Sequence, residues 1–190
     1  MSELDRLVSK SYEQAKRGDW DQLFSDWNEI PLLALRCSRY IRQSSGWSFL
    51  HQAAYFGHKN ACRYLIKMGS PIALLSNDKK SASDVARSKE FFDLADWLDR
   101  AIERDDSLWS PPQEMGLHPS SCLWLDANES LAVNDIFVSY ANELVKIPKG
   151  SRYYVDDYER ILVGWHGTFN PPCGMDGESL ISTNTPPIDR

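Results

Sequence analysis

Residues 46–70 read GWSFLHQAAYFGHKNACRYLIKMGS, and this stretch decides the architecture. Gly46 suits a turn that needs a positive φ. Ser48 is placed to cap a helix through its hydroxyl. Ala53 and Ala54 are small enough for two antiparallel helices to approach closely, and Gly57 ends the first of them. Cys62, Leu65 and Ile66 then recur at i, i+3 and i+4, making the inner face of a second helix, which Gly69 ends. One such helix pair cannot bury its apolar face alone, so neighbouring pairs are expected on both sides.

Set against the unit G-x-T-P-L-H-x-A-A-x-x-G-H followed by V-x-x-L-L-x-x-G-A, the stretch resembles an ankyrin repeat. Gly46, Leu50, His51, Ala53, Ala54, Gly57, His58, Leu65 and Gly69 are identical to it. Ser48, Cys62, Ile66 and Ser70 are near substitutes, and Phe49 stands where the family has Pro. The period of such repeats is ~33 residues. One period after Gly46 comes Lys79, opening KKSASDVA, in which Ser81, Asp84 and Ala86 match a degenerate unit. The positions Ala54, Gly57, Cys62, Leu65 and Ile66 map onto Ala86, Lys89, Leu94, Trp97 and Leu98. Upstream they map onto Ala15, Gly18, Leu23, Asp26 and Trp27. The resemblance covers roughly residues 3–104. It implies a mainly α ankyrin-repeat solenoid of about three helix pairs, with the outer pairs as caps. It also implies a non-catalytic scaffold that binds protein through turn tips and first helices. In that frame His51 bonds neighbouring turn backbone, and the contact residues are Trp47, Gln52, Tyr55 and Lys80, with Gln43 and Asn77 on the same turns.

Beyond the repeats the composition changes. Asp105-Asp106-Ser107-Leu108-Trp109-Ser110-Pro111-Pro112 breaks the last helix. The expected division is residues 1–106 for the repeats, 107–121 for a linker and 122–190 for a small acidic β-rich (α+β) module. Cys122-Leu123-Trp124-Leu125 is a short apolar run. Asp135–Ile147 mixes β-branched and aromatic content with helical spacing, and suits a strand or a helix–strand mixture. Arg152–Val155 and Arg160–Trp165 flank Asp156-Asp157-Tyr158-Glu159 and read as a hairpin. Residues from Phe169 onward are turn and tail chemistry.

Charge narrows the function. The net charge is −6. Residues 1–109 hold 16 basic and 16 acidic side chains, whereas residues 110–190 hold 5 and 11. The acidic second half argues against nucleic acid, whose phosphates need a basic face. It suits a basic protein partner. No apolar run approaches the ~20 residues of a membrane span, and no secretory leader is evident at Met1–Lys10. Cys37, Cys62, Cys122 and Cys173 show no metal spacing, so no metal or cofactor is expected, and a reduced, cytoplasmic setting is.

Two chemical readings compete with binding. His166-Gly167-Thr168 is similar to the His-Gly-Thr of ADP-ribosyltransferases, but that family also uses a pair of tyrosines and none follows His166. Cys173 with His166 and Asp176 would suit a cysteine hydrolase, yet the sequence after Cys173 carries no evident helix signal of the kind that lowers a thiol pKa. The expectation is therefore a protein binder, monomeric or in a 1:1 complex, of the inhibitor or immunity type that neutralises a basic toxin enzyme. An adaptor docking through the repeats is the alternative, and an enzyme using the C-terminal module the outside one. The second expected contact surface is an acidic finger, Asp156, Asp157, Tyr158 and Glu159, with Trp165 beside it.

Overall fold

The computed structural model describes residues 2–102, 116–140, 143–163 and 181–182. The chain divides into two compact units, Met1–Ile102 and Glu103–Arg190.

The first unit is helical: α1 (Glu3–Arg17), α2 (Trp20–Glu29), α3 (Pro31–Ser38), α4 (Phe49–Tyr55), α5 (Lys59–Lys67), α6 (Ala82–Ser88) and α7 (Phe92–Ala101). Ser2, Ser48 and Ser81 each start a helix by accepting a backbone N–H three residues on, with the N3 side chain bonding back to the cap. Gly18 and Gly57 stand in the left-handed region just past α1 and α4, where a missing Cβ removes the steric cost. Glu90 takes the same conformation past α6, at φ 65.

These seven helices correct the expected architecture. A solenoid of about three helix pairs does not form, because the first three helices are not a pair. Pro31 cannot continue α2 but suits the first position of a new helix, so the chain restarts as α3. There Leu33, Ala34, Leu35 and Cys37 are buried, and α1 and α2 both pack on α3. Only the later helices run in pairs: α4 and α6 begin 33 residues apart, as do α5 and α7. This spacing also shifts the internal alignment by one position, pairing Ala53 with Ala86 and Gly57 with Glu90. Trp20, Trp27, Trp97, Tyr12, Phe49, Leu50 and Leu65 fill the core.

The second unit is a β-sheet, in keeping with the expected β-rich second half. Its strands are β1 (Leu117–Ser121), β2 (Asn128–Leu131), β3 (Ile136–Tyr140), β4 (Glu143–Ile147), β5 (Arg152–Val155), β6 (Ile161–Leu162) and β7 (Ile181–Ser182). They lie in the order β2-β5-β6-β1-β3-β4-β7. β1 runs parallel to β3 and β6, and the remaining pairs are antiparallel. β1 therefore sits inside the sheet, on residues the sequence assigned to a linker. Pro119 and the polar pair Ser120 and Ser121 disguised it, because a proline cannot donate to a ladder. Ser120 Oγ donates to the Ser139 carbonyl on the next strand. The ambiguous Asp135–Ile147 segment contributes β3 and β4, paired from Ile136↔Ile147 to Tyr140↔Glu143. The apolar run at Cys122–Leu125 ends in a 3-10 turn, Trp124–Asp126. Ala132, Val138, Tyr140, Val145, Ile147, Ile161 and Val163 form the core.

Candidate protein-binding surface

The turn from Arg42 to Ser48 and the helix it launches build the surface. The backbone N–H of Gly46 donates to the Arg42 carbonyl, and that of Arg42 to the Trp47 carbonyl. Gly46 has φ 71, and a Cβ there would lie 2.6 Å from the Asn77 backbone nitrogen. The close approach lets Asn77 N–H donate to Ser45 O at 3.0 Å. Asn77 Nδ2 donates to Ser44 O at 3.2 Å. Two successive turns are thereby tied edge to edge.

His51 ties the same turns from below. Its Nδ1 accepts the Ser48 N–H at 3.2 Å, so its Nε2 carries the proton that meets the Lys80 carbonyl at 3.1 Å. Burial holds its pKa below the usual 6.5, because the charged ring would lose hydration. Above the ring lies Trp47, with centroids 5.7 Å apart, and Trp47 reaches Tyr55 at 6.1 Å. Tyr55 meets Phe56 edge-on at 5.1 Å. Lys89 Nζ stands 4.2 Å above the Tyr55 ring, a cation–π distance. Tyr55 and Phe56 are each 37% exposed. The result is a row of aromatic rings, partly open to solvent, held by helix caps and a locked turn.

Of the residues singled out by sequence, this row brings together Trp47 and Tyr55. Lys80 is exposed beside it, and Gln43 and Asn77 are exposed on the tied turns. Gln52 is a correction: it is buried, and its amide donates to Tyr12 Oη at 3.1 Å, so it supports the row from within. Phe56 and Lys89 were missed as surface residues. In the repeat alignment Lys89 falls where the middle unit has the helix-ending Gly57, which hides its reach back over Tyr55. Phe56 had a readable signal, an aromatic directly before the helix-ending Gly57 and outside the buried stripe.

The acidic turn is also corrected. Asp156 and Tyr158 are 2% and 1% exposed, so they are not finger residues. Asp156 Oδ1 accepts the backbone N–H groups of Tyr158 and Arg160, each at 2.9 Å, and Oδ2 accepts Arg160 Nε at 2.8 Å. The Arg160 guanidinium lies 4.9 Å over the Tyr158 ring. One carboxylate is thus consumed in closing the turn, and it leaves Glu159 exposed and Asp157 half-buried. A further acidic stripe lies on α7, where Asp96 and Asp99 share Arg87 at 3.1 and 2.9 Å.

Trp165, His166, Cys173 and Asp176 lie outside the described residues. Burial pushes the Cys37 thiol up to about 12 and raises Cys62 as well, which leaves both unreactive. Among the described residues no group of three or more His, Cys, Asp or Glu side chains is placed to hold a metal. No helix among them is long and apolar enough to cross a membrane. No known protein family's sequence profile matches the chain, and no curated protein matches its sequence.

Proposed function

We propose that the chain is a non-catalytic protein-binding module and that the row Trp47–Tyr55–Phe56 with Lys89 is its principal contact. The observation that carries this reading is the partly exposed aromatic row on a pre-formed support. Large aromatics with few rotors, framed by charge, are what dominate protein interfaces. Rigid presentation also lowers the entropy lost on association. The ankyrin-like sequence of residues 46–70 supports the same reading. The role is that of an inhibitor of the immunity type, capturing one partner enzyme 1:1 in the cytoplasm, with no cofactor. A basic partner fits the acidic excess of residues 110–190, to which Asp157 and Glu159 belong, through steering of the encounter.

Affinity capture from native lysate tests this, using wild type beside Trp47→Ala and Tyr55→Ala. One stoichiometric partner is expected with wild type. Each variant weakens it by on the order of 2 kcal/mol or more, with unchanged thermal melting. Retention of the partner by both variants removes the row from the interface. A second reading, an adaptor for several partners, is favoured by the same row and would give many weak captures instead of one.

A further inference from the structure

We infer that the aromatic row receives an acidic segment of the partner, one that places an apolar or aromatic side chain between carboxylates. This rests on the binding reading above and adds the chemistry bound at the row itself, a local acidic segment on a partner whose overall charge is basic.

The charge layout on the row points to it. Residues 47–56 contain no Asp, Glu, Lys or Arg, so the rings themselves form a neutral centre. Two lysines border it. At one end the Lys80 carbonyl is fixed 3.1 Å from the His51 ring on which Trp47 packs. At the other, Lys89 Nζ lies over Tyr55 at 4.2 Å. Lys79 stands next to Lys80 and is held at φ 62. Among the described residues, none of Lys79, Lys80 and Lys89 forms an ion pair. The acids nearby are differently disposed. Asp84 is engaged by the Ser81 backbone and hydroxyl, at 2.9 and 2.8 Å, and Arg87 and Lys80 are near enough to help these bonds hold its carboxyl below the usual range. Asp78 and Glu90 lie on the outer flanks of the lysines in sequence, and both are exposed.

An incoming carboxylate gains from this arrangement because Lys89 pays little to meet it. Its ammonium already sits at a defined place over a ring, so less rotamer entropy remains to be lost. A carboxylate at the Lys80 end and another at the Lys89 end would fix an extended segment along the row. The apolar side chain between them would cover Trp47 and Tyr55. Rings with lysines would also suit single-stranded nucleic acid, but that requires a groove of positive charge along the backbone, and the chain carries −6 overall.

The test is an NMR titration of the full, nitrogen-15-labelled chain. Three probes are used: a short synthetic peptide of Glu and Asp around a central Phe-Leu, the same peptide with Lys for every acid, and oligo-dT. The acidic peptide is expected to shift the Trp47 indole and the amides of Tyr55 and Lys89. It should bind about tenfold or more tighter than the basic one, and weaken as salt rises. Lys80→Glu and Lys89→Glu should each lower its affinity about tenfold, with Lys80→Gln and Lys89→Gln intermediate and all four retaining dispersed spectra. Equal binding of the basic peptide or of oligo-dT, shifts confined to other residues, no binding, or no effect of the charge reversals overturns the inference. The two proposals fail separately. A partner captured equally by wild type and Lys89→Glu, but lost by Tyr55→Ala, leaves the binding row standing and removes the acidic segment. A partner indifferent to Tyr55→Ala removes the row itself.

Discussion

Gly46 and Glu90 bracket what a single residue does to this unit. At Gly46 the φ of 71 and the 2.6 Å approach to Asn77 leave no room for a side chain. The neighbour is backbone, so it cannot swing aside. Gly46→Ala is expected to cost about 1–3 kcal/mol, read as a lower denaturation midpoint. Glu90 is strained in a conformation that glycine adopts freely, so Glu90→Gly should add about 1 kcal/mol and raise the midpoint. His51 sets the pH response. Its folded pKa is lowered by burial, so its contribution is full above the ordinary value of 6.5 and declines as pH falls below it. Melting temperature should drop between about pH 7 and about pH 5. His51→Asn, which keeps an acceptor for the Ser48 N–H, should flatten that slope. An equal slope in both proteins would assign the pH response to other groups.

At the scale of elements, the acidic turn shows how a polar cluster becomes structure. Asp156 meets two backbone N–H groups and the Arg160 guanidinium while almost wholly buried. Removing its charge leaves Arg160 buried beside a neutral group. Asp156→Asn should therefore cost about 3–5 kcal/mol, whereas the exposed Glu159→Gln should change stability within about 0.5 kcal/mol. Comparable losses from both would mean that the turn is not closed by the ion pair. Sequence could place this turn, since two β-rich runs flank it, but it could not tell which acid points inward. That choice depends on an arginine four residues on reaching back. The helix pair at residues 49–67 was legible because its caps, small residues and apolar spacing all agree. β1 was not, because Pro119 and two serines carry no strand pattern and only their place between β3 and β6 makes them one. The three-helix start was not legible either, since Pro31 reads equally as a break and as a beginning.

Over the whole molecule, the two halves differ in chemistry. Residues 1–109 have balanced charge and include the aromatic row, while residues 110–190 hold the acidic excess. Nucleophilic chemistry finds little support among the described cysteines. Cys37 and Cys62 are buried with raised pKa values, so neither should be alkylated in the folded chain, while the half-buried Cys122 should react. Peptide mapping after a brief iodoacetamide pulse checks this, and labelling at Cys62 ahead of Cys122 would show that the helical core opens readily. Which residues form the contact row was only partly legible. Trp47 lies just before α4 and Tyr55 at its end, within one short stretch of sequence, whereas Lys89 joins them through space, from the turn after α6.

We propose that this row carries recognition. Hydrogen–deuterium exchange of the full chain, alone and with the partner it captures, tests it most directly. Slowed exchange should concentrate in residues 46–57 and 79–90. Slowed exchange confined to other segments, with these two unchanged, would contradict it.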